Sequence, residues 1–175
     1  MISQAYSEIL TGSTGTTSRT KWQLHKMLER EIWRERRQNM AKIILASHGM
    51  LSQGMLDTAK MIIGGMADGV ETYSLFPGEN ADDFATSLKA RIEAEDDEYI
   101  IVCDILGGSV CNALVQLTVN EKVKVLAGMN LSLVLELIMG NQIGICDLAS
   151  SIQTAKDGIS CTSISAVADE EDSDF

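Results

Sequence analysis

Two side chains with acid–base chemistry each follow an apolar stretch that is typical of a buried strand. His48 follows residues 42–47, and Asp104 follows residues 99–103. An imidazole has two nitrogens, and a carboxylate that holds the Nδ1 proton leaves Nε2 free to act as a nucleophile or a base. We therefore predict that the two side chains meet and that His48 is the reactive group.

A glycine pair followed by a serine, Gly107-Gly108-Ser109, lies just after Asp104 at the predicted start of a helix. Glycines let a bound anion approach the backbone, and the first amide groups of a helix are unpaired and lie at its positive end. The Ser109 hydroxyl is suited to cap the helix or to donate to a phosphoryl oxygen. Alone this segment would indicate only a turn, but beside His48 and Asp104 it predicts a phosphoryl-binding loop.

Other common catalytic motifs are absent from the sequence. It has no G-x-x-x-x-G-K-[ST], G-x-G-x-x-G or G-x-S-x-G, which argues against a nucleotide hydrolase, a dinucleotide enzyme and a serine hydrolase.

With two histidines and no C-x-x-C pair among four cysteines, we expect no metal, no cofactor, and reduced, mostly buried cysteines. His25 is interpreted as incidental. An acidic cluster is typical of a solvated helix end rather than a calcium loop: Glu93, Glu95, Asp96, Asp97 and Glu98.

From Met40 onwards, predicted strands and helices alternate with a repeat of about 25–30 residues, a pattern of βαβ units. Strands are predicted at 42–47, 70–76, 99–103 and 122–127, and a short last strand at 159–164. Helices are predicted at 51–66, after Asn80, from Ser109, from Asn130 to residue 139, and at 147–156. This order predicts an α/β fold, a three-layer sandwich with a mostly parallel central sheet between two layers of helices.

The strand order determines where the reactive residues lie. The first and third strands are the most continuously apolar, which is typical of central strands buried on both faces. We predict the order 2-1-3-4, which reverses between strands one and three. Ligands bind at such a reversal, beyond the carboxyl ends of the strands. His48 and Asp104 both follow strands at this point.

Charge divides the chain near Met40. Residues 1–39 contain seven Lys/Arg and four Asp/Glu, net +3, whereas residues 40–175 contain seven and twenty-one, net −14. We interpret 1–39 as an N-terminal extension, flexible and then helical from 19 to 38, 40–168 as the domain, and 169–175 as an acidic tail. Residues 35–40 also have the composition of a translated ribosome-binding site, so translation starting at Met40 is one interpretation and a docking helix or linker is the other.

Length and composition limit the broad class. The chain has 175 residues, 45% of them hydrophobic, which suits one domain, and a net charge of −11. That charge argues against nucleic acid or an anionic membrane as the main partner. No apolar run approaches the ~20 residues that cross a bilayer, and the N-terminus lacks the pattern of a secretory signal. We expect a cytoplasmic protein without direct membrane insertion.

Five stretches of the sequence occur together in a familiar order and spacing: IILASHG at 43–49, residues 54–64, FPGEN at 76–80, VCDILGGSVCN at 102–112, and GMNL at 128–131 before Leu135-Glu136. Through them, residues 41–165 resemble the EIIA domain of the mannose family of the bacterial phosphoenolpyruvate-dependent sugar phosphotransferase system.

The resemblance implies a function and a set of partners. In that family a histidine accepts a phosphoryl group from the phosphohistidine of HPr and passes it to the EIIB component, and this histidine corresponds to His48. The resemblance implies that Asp104 orients His48 and that Ser109 lies near the phosphoryl group. EIIC and EIID would be indirect membrane partners. It also implies a homodimer, in some members with an exchanged C-terminal strand, here 159–164.

The sequence departs from the family at several positions. Family members often have Ser-Pro-Phe-Asn after the two glycines, where this chain has Ser109-Val110-Cys111-Asn112, and a second proline where Ser132 stands. Because proline at the first helical position pre-sets the turn, we expect a looser loop here. Two alternatives stay open: an EIIA-like phosphocarrier that feeds dihydroxyacetone kinase or a regulator, and a non-catalytic binding protein that retains the fold.

Overall fold

The structure, a computed structural model, describes residues 25–27 and 40–163. Backbone contacts divide the chain into two units, residues 1–39 and 40–175. In the first unit residues 25–27 are helical with exposed side chains. The rest of the helix predicted over 19–38, and the acidic tail predicted at 169–175, lie outside the described residues.

Strands and helices alternate throughout the described part of the second unit. The strands are β1 (Lys42–His48), β2 (Glu71–Leu75), β3 (Tyr99–Cys103) and β4 (Val123–Ala127). The α-helices are α1 (Leu51–Ile63), α2 (Ala81–Ala94), α3 (Ser109–Val115), α4 (Leu131–Gln142) and α5 (Leu148–Asp157). Two 3₁₀ turns, Gly64–Ala67 and Gln116–Val119, continue α1 and α3.

The four strands form one parallel sheet in the order β2-β1-β3-β4, which confirms the predicted topology. As predicted, the central strands are the buried ones: residues 43–47 of β1 and all of β3 are inaccessible to solvent. In the register, His48 lies opposite Leu75 of β2, and Ala46 lies opposite Cys103 of β3. His48 and Asp104 therefore follow adjacent strands at the same carboxyl edge.

The two faces of the sheet carry separate hydrophobic cores, so the molecule has the three layers that the sequence predicts. Ile44 and Ala46 of β1 point to the face covered by α2 and α3. Ile43 and Leu45 point to the face covered by α1, α4 and α5. This alternation follows from the two-residue period of a strand.

Polar side chains begin three of the helices. The Asn80 side chain accepts from the Asp82 amide at the start of α2, and Asn130 accepts from the Leu133 amide at 3.0 Å at the start of α4. Asp147 caps α5 in the same way. The predicted starts after Asn80 and Asn130 are confirmed, because asparagine satisfies an amide that the helix itself leaves unpaired.

Two sequence-based boundaries differ from those in the structure. The strand predicted at 159–164 is not formed by residues 159–163, and residue 164 is not described. The Ile159 amide instead donates to the Lys156 carbonyl in the turn that ends α5, so it is not available to a sheet. The first helix was predicted at 51–66, with Gly64-Gly65 or Gly69 as the residues that stop it. The α-helix ends at Ile63, which confirms the stop at Gly64, where φ is 58°, and residue 66 lies in the 3₁₀ turn that follows.

The cysteines and acidic residues also differ from expectation. Four cysteines are free, but only Cys103 and Cys111 are buried, and Cys161 is exposed. The acidic cluster is not simply solvated, since Glu95 and Asp97 pair with Lys42, at 2.6 and 2.9 Å from Nζ. Over the ranges 25–27 and 40–163, no helix is long and apolar enough to cross a membrane.

Candidate functional site

His48 is the last residue of β1, and the chain turns sharply after it. Gly49 makes this turn with φ of 54°, a region that residues with a side chain rarely adopt. The Gly49 amide donates to the Leu75 carbonyl at 2.8 Å, which fixes the turn to the end of β2. The backbone of His48 is thus fixed in the sheet, while its side chain is 44% exposed to solvent.

Asp104 follows β3, and one oxygen of its carboxylate contacts both the amide and the ring of His48. Its own amide donates to the Ala46 carbonyl, which continues the β1–β3 pairing by one residue. Its Oδ2 accepts from the His48 amide at 2.8 Å and lies 2.7 Å from His48 Nδ1. Its Oδ1 accepts from the Ile105 amide at 2.9 Å. The predicted meeting of His48 and Asp104 is therefore present in the structure.

The Asp104 carboxylate remains charged in this position. Burial acts to raise the pKa of Asp104, but the hydrogen bonds from the His48 amide, the His48 imidazole and the Ile105 amide outweigh it. The resulting pKa of Asp104 is below its ordinary value. Since a charged carboxylate only accepts hydrogen bonds, the proton of a neutral His48 ring lies on Nδ1, and Nε2 carries a lone pair.

The Ser109 hydroxyl contacts the Nε2 atom that carries this lone pair. Ser109 Oγ is 2.9 Å from His48 Nε2, and with Nδ1 protonated the hydroxyl donates to the ring. From the sequence we predicted a free Nε2 and, through the resemblance, a Ser109 that lies near the phosphoryl group. The structure brings Ser109 into direct contact with the imidazole, a contact that sequence reasoning missed because it depends on the exact path of the loop.

The two glycines before Ser109 let that loop pass close under the ring. Gly107 has φ of 78°. Gly108 begins α3, and a Cβ atom on it would lie 2.8 Å from Ile105 Cγ2 and 3.1 Å from His48 Cε1. Real Cβ atoms do not approach other atoms as closely as 2.8 Å, so only glycine is accommodated at position 108 without movement.

Asn112 holds the two glycines from one turn further along α3. Its side-chain Nδ2 donates to the Gly107 carbonyl at 3.0 Å, and its amide donates to the Gly108 carbonyl at 2.9 Å. Two consecutive carbonyls are thus directed along the helix and away from His48. Sequence reasoning quoted Asn112 only as part of a motif, and the signal that could have found it is an asparagine five residues after a turn glycine.

A chain of buried hydroxyl groups lies behind the His48 turn. The Ser52 amide donates to Ser47 Oγ at 2.8 Å, and Ser52 Oγ donates to the Tyr73 carbonyl at 2.8 Å. Ser52 Oγ also lies 3.0 Å from Ser74 Oγ. These contacts tie the start of α1 to both β1 and β2, and sequence reasoning did not find them because isolated serines carry no pattern.

Exposed apolar side chains lie next to His48 and Asp104 in the chain. Met50 and Leu51 follow His48, and Ile105 and Leu106 follow Asp104. All four are exposed, and Leu106 retains 82% of its accessible surface. Exposed apolar residues grouped around a polar centre mark surfaces that bind other proteins. Over residues 25–27 and 40–163, no group of His, Cys, Asp or Glu is arranged to hold a metal ion.

The chain matches one protein-family model over residues 42–152, EIIA-man, described as "PTS system fructose IIA component". It is 36% identical over 101 residues to the sorbose-specific EIIA component of Klebsiella pneumoniae, covering 57% of this chain and 73% of that protein. It is 30% identical over 100 residues to the mannose-specific EIIAB component of Escherichia coli, of which it spans only 31%. The crystal structure of phosphotransferase system component EIIA from Streptococcus agalactiae superposes with a TM-score of 0.62 at 28% identity, covering 70% of this chain and 97% of that one.

Proposed function

Since the chain belongs to the EIIA-man family of phosphotransferase-system IIA components, we propose that it is a phosphocarrier that works through His48 during sugar uptake. It accepts a phosphoryl group from phospho-HPr and passes that group to the EIIB component. EIIC and EIID take part only indirectly, in the membrane. The carrier acts in the cytoplasm as a homodimer, as the resemblance to the family implies.

The observation that carries this proposal is the state of the His48 ring. Asp104 fixes Nδ1 and leaves the lone pair on Nε2, at a side chain that is 44% exposed. A neutral imidazole held in this way is a nucleophile that a second protein can reach. Neither metal nor cofactor is needed, because a phosphohistidine donor already carries a reactive P–N bond.

The transfer proceeds in line between two histidine nitrogens. Nε2 of His48 approaches the phosphorus as the P–N bond of the donor breaks, and the donor nitrogen keeps the electron pair of that bond. The Ser109 hydroxyl leaves Nε2 and turns to a phosphoryl oxygen. The Asp104 carboxylate balances the positive charge that develops on the His48 ring.

Gly107, Gly108 and Ser109 contact the phosphoryl group in this proposal. The Asn112 amide holds the Gly108 carbonyl along the helix, so the Ser109 amide, in the same peptide plane, points in the opposite direction. The Gly108 amide donates to the Ile105 carbonyl at 3.4 Å and turns to the phosphoryl group as this long bond breaks. Amide groups with this orientation stabilise charge on the equatorial oxygens of the transferring group.

The surroundings of His48 support protein partners rather than a small substrate. The exposed apolar residues Met50, Ile105 and Leu106 offer a contact surface and do not enclose the ring. Residues 40–175 carry a net charge of −14, which favours partners with basic residues near their phosphohistidine. We also propose an N-terminal extension over 1–39 and a domain over 40–168; the family match, which starts at residue 42, supports the first of these boundaries.

Intact mass measurement tests the proposal. After incubation of the full chain with phosphoenolpyruvate, enzyme I and HPr, we expect an acid-labile gain of about 80 Da, the mass of one phosphoryl group. His48→Ala should abolish the gain. His25→Ala, which removes the other histidine of the chain, should leave it intact.

A wild-type protein that gains no mass beside a working control EIIA would contradict the proposal. Retention of the acid-labile gain in His48→Ala would contradict the assignment of the residue. Loss of the gain in His25→Ala would show that the phosphoryl group enters through the N-terminal extension.

A further inference from the structure

The contacts of Ser109, His48 and Asp104 also have the arrangement of a catalytic triad. Ser109 Oγ lies 2.9 Å from His48 Nε2, and His48 Nδ1 lies 2.7 Å from Asp104 Oδ2. This is the hydrogen-bond order of a serine nucleophile, its base and the carboxylate that orients the base. Such triads are recognised by geometry rather than by sequence order, so the missing G-x-S-x-G motif does not exclude one.

We propose that Ser109 is an activated nucleophile in the unphosphorylated protein and that it takes acyl groups from small activated esters and phosphonyl groups from fluorophosphonates. This reactivity goes beyond phosphoryl transfer through His48. It requires only this chain and no carrier protein.

Protons and electrons balance in both reactions. With a fluorophosphonate, Ser109 Oγ attacks phosphorus, the P–F bond breaks and fluoride leaves, and the hydroxyl proton passes to His48 Nε2. With an ester the same groups act in turn. Ser109 Oγ attacks the carbonyl carbon as its proton moves to His48 Nε2, and Asp104 stabilises the imidazolium that forms. The bond from the carbonyl carbon to the leaving oxygen then breaks, and that oxygen takes the proton from Nε2. Water, with His48 again as base, cleaves the Ser109 ester and returns the free hydroxyl.

The surroundings of Ser109 define the class of substrate. The serine is exposed beside Gly108, which has no side chain, so a flat acyl group can approach Oγ from solvent. Exposed Ile105 and Leu106 lie on the same loop and favour an apolar group. Since the site is open and lacks an enclosing pocket, small esters with good leaving groups are expected to react, and large specific substrates are not.

Ser109 and His48 compete for the same reagents, and this competition makes the proposal testable. If His48 reacts directly, an ester acylates Nε2, and the serine is a spectator. If Ser109 reacts, the adduct is stable to mild acid and remains on the serine. The two cases differ in the residue that carries the group and in the effect of removing the hydroxyl.

The experiment uses a fluorophosphonate probe and p-nitrophenyl butyrate on the purified, unphosphorylated full chain. Peptide mapping should place the phosphonyl group on Ser109, at a rate about a hundredfold above that on Ser87, since an adjacent base typically contributes at least this factor. Ser87 is an exposed serine on α2 that no histidine contacts in the described part of the chain. Ester hydrolysis should fall to the background rate in Ser109→Ala and in His48→Ala, and persist in Ser87→Ala.

Two outcomes overturn the proposal. In the first, the probe labels Ser109 no faster than Ser87. In the second, Ser109→Ala hydrolyses the ester as fast as wild type, which identifies His48 as the direct nucleophile. Neither readout involves HPr or EIIB, so failure here leaves the phosphocarrier function untouched, and failure of phosphorylation leaves this test intact. Circular dichroism of each variant separates loss of the nucleophile from loss of the fold.

Discussion

The two edges of the sheet use their charged groups in opposite ways. At the amino-terminal edge, ion pairs connect neighbouring elements: Arg91 of α2 pairs with Glu71 of β2 at 2.8 Å, and the buried Tyr99 of β3 donates its hydroxyl to Glu95. Hydrogen bonds that Lys42 donates to Glu95 and Asp97 raise the pKa of Lys42 above its ordinary value. Each of these charged side chains is held by a partner on a neighbouring segment of the chain.

The carboxyl edge has fewer charged groups, and these contact a single ring, the imidazole of His48. There one carboxylate, Asp104, orients His48, and Gly49 and Gly107 supply the positive φ angles that bring the loops together. The ion pairs that raise the pKa of Lys42 lie at the edge opposite the candidate site, so a network of charges does not by itself mark that site. The better marker is a half-exposed group with one nitrogen fixed and the other available.

The largest effect that would test this contrast is expected for Asp104→Asn. The asparagine amide can donate toward Nδ1 and favour the ring tautomer with its proton on Nε2, which removes the nucleophilic lone pair. We expect phosphoryl acceptance to slow by about 10- to 100-fold, the usual cost of losing a residue that orients a histidine. Rapid-quench phosphorylation by phospho-HPr measures the rate. The matched variant at the other edge, Glu95→Gln, should react at the wild-type rate, and equal slowing in both would remove the distinction between the edges.

Gly108→Ala tests whether close backbone approach is a requirement of the carboxyl edge. The added Cβ would overlap Ile105 Cγ2 and press on His48 Cε1. We expect transfer to slow by roughly tenfold to a hundredfold, because overpacking costs about 1–3 kcal/mol. In Gly54→Ala, on α1, the new Cβ meets nothing within 4 Å, so it should preserve the rate and raise stability. A wild-type rate in Gly108→Ala would show that the loop moves freely.

Asn112→Ala tests the contribution of the side chain that holds Gly107. Loss of a single hydrogen bond should slow transfer by about three- to tenfold, with little change in stability because Asn112 is exposed. Gln116→Ala removes another exposed amide from the same region and should have no effect. The 15N shift of His48 Nε2 provides a second measurement, since a displaced Ser109 hydroxyl alters it even where the fold is unchanged.

Tyr99→Phe tests the opposite edge. It removes the hydroxyl that donates to Glu95 and leaves the buried ring in place. We expect the free energy of unfolding to fall by about 1 kcal/mol, with phosphoryl transfer unchanged. Urea denaturation and the transfer assay give the two values. Slower transfer with unchanged stability would mean that this network also serves the site.

The smallest effect concerns pH. Because the pKa of Asp104 is lowered by folding, its charged form stabilises the folded state. The contribution is complete above the unfolded pKa, about 3.9 for aspartate, and is lost as pH falls through the lower folded pKa. Urea denaturation of wild type and Asp104→Asn should therefore show a difference in the free energy of unfolding at pH 5 that shrinks as the pH falls below 4. A difference that grows at low pH would contradict the sign.

The sequence predicted the sheet well because its central strands are long apolar runs. Residues 43–47 and 99–103 allow no other position than the middle of a sheet covered on both faces, and asparagines at 80 and 130 mark helix starts through local chemistry. The prediction of a strand at 159–164 was wrong because the sequence there does not fix a position in the sheet. The apolar residues there suit a strand, but no local signal shows which edge would pair with it.

The site was predictable in its members and not in its contacts. His48 and Asp104 follow adjacent parallel strands, so topology alone brings them together. The Ser109 hydrogen bond to Nε2 and the Asn112 bond to Gly107 depend on two glycine φ angles and on a contact across a loop. These distances are set by tertiary structure. An asparagine five residues after a turn glycine is a sequence signal for the Asn112 bond, whereas neither residue type nor spacing predicts the Ser109 contact.

In the loop after β3, the residues that set the loop's shape differ from the residue whose side chain is most exposed to a partner protein. The shape of the loop is held by backbone groups and by Asp104, Gly108 and Asn112, whereas the Leu106 side chain extends into solvent with 82% of its surface free. A lineage can therefore exchange Leu106 to suit a new partner without rebuilding the chemistry beneath it. Divergence of partner choice among paralogues should accumulate at this position first, while the chemistry beside it stays constant.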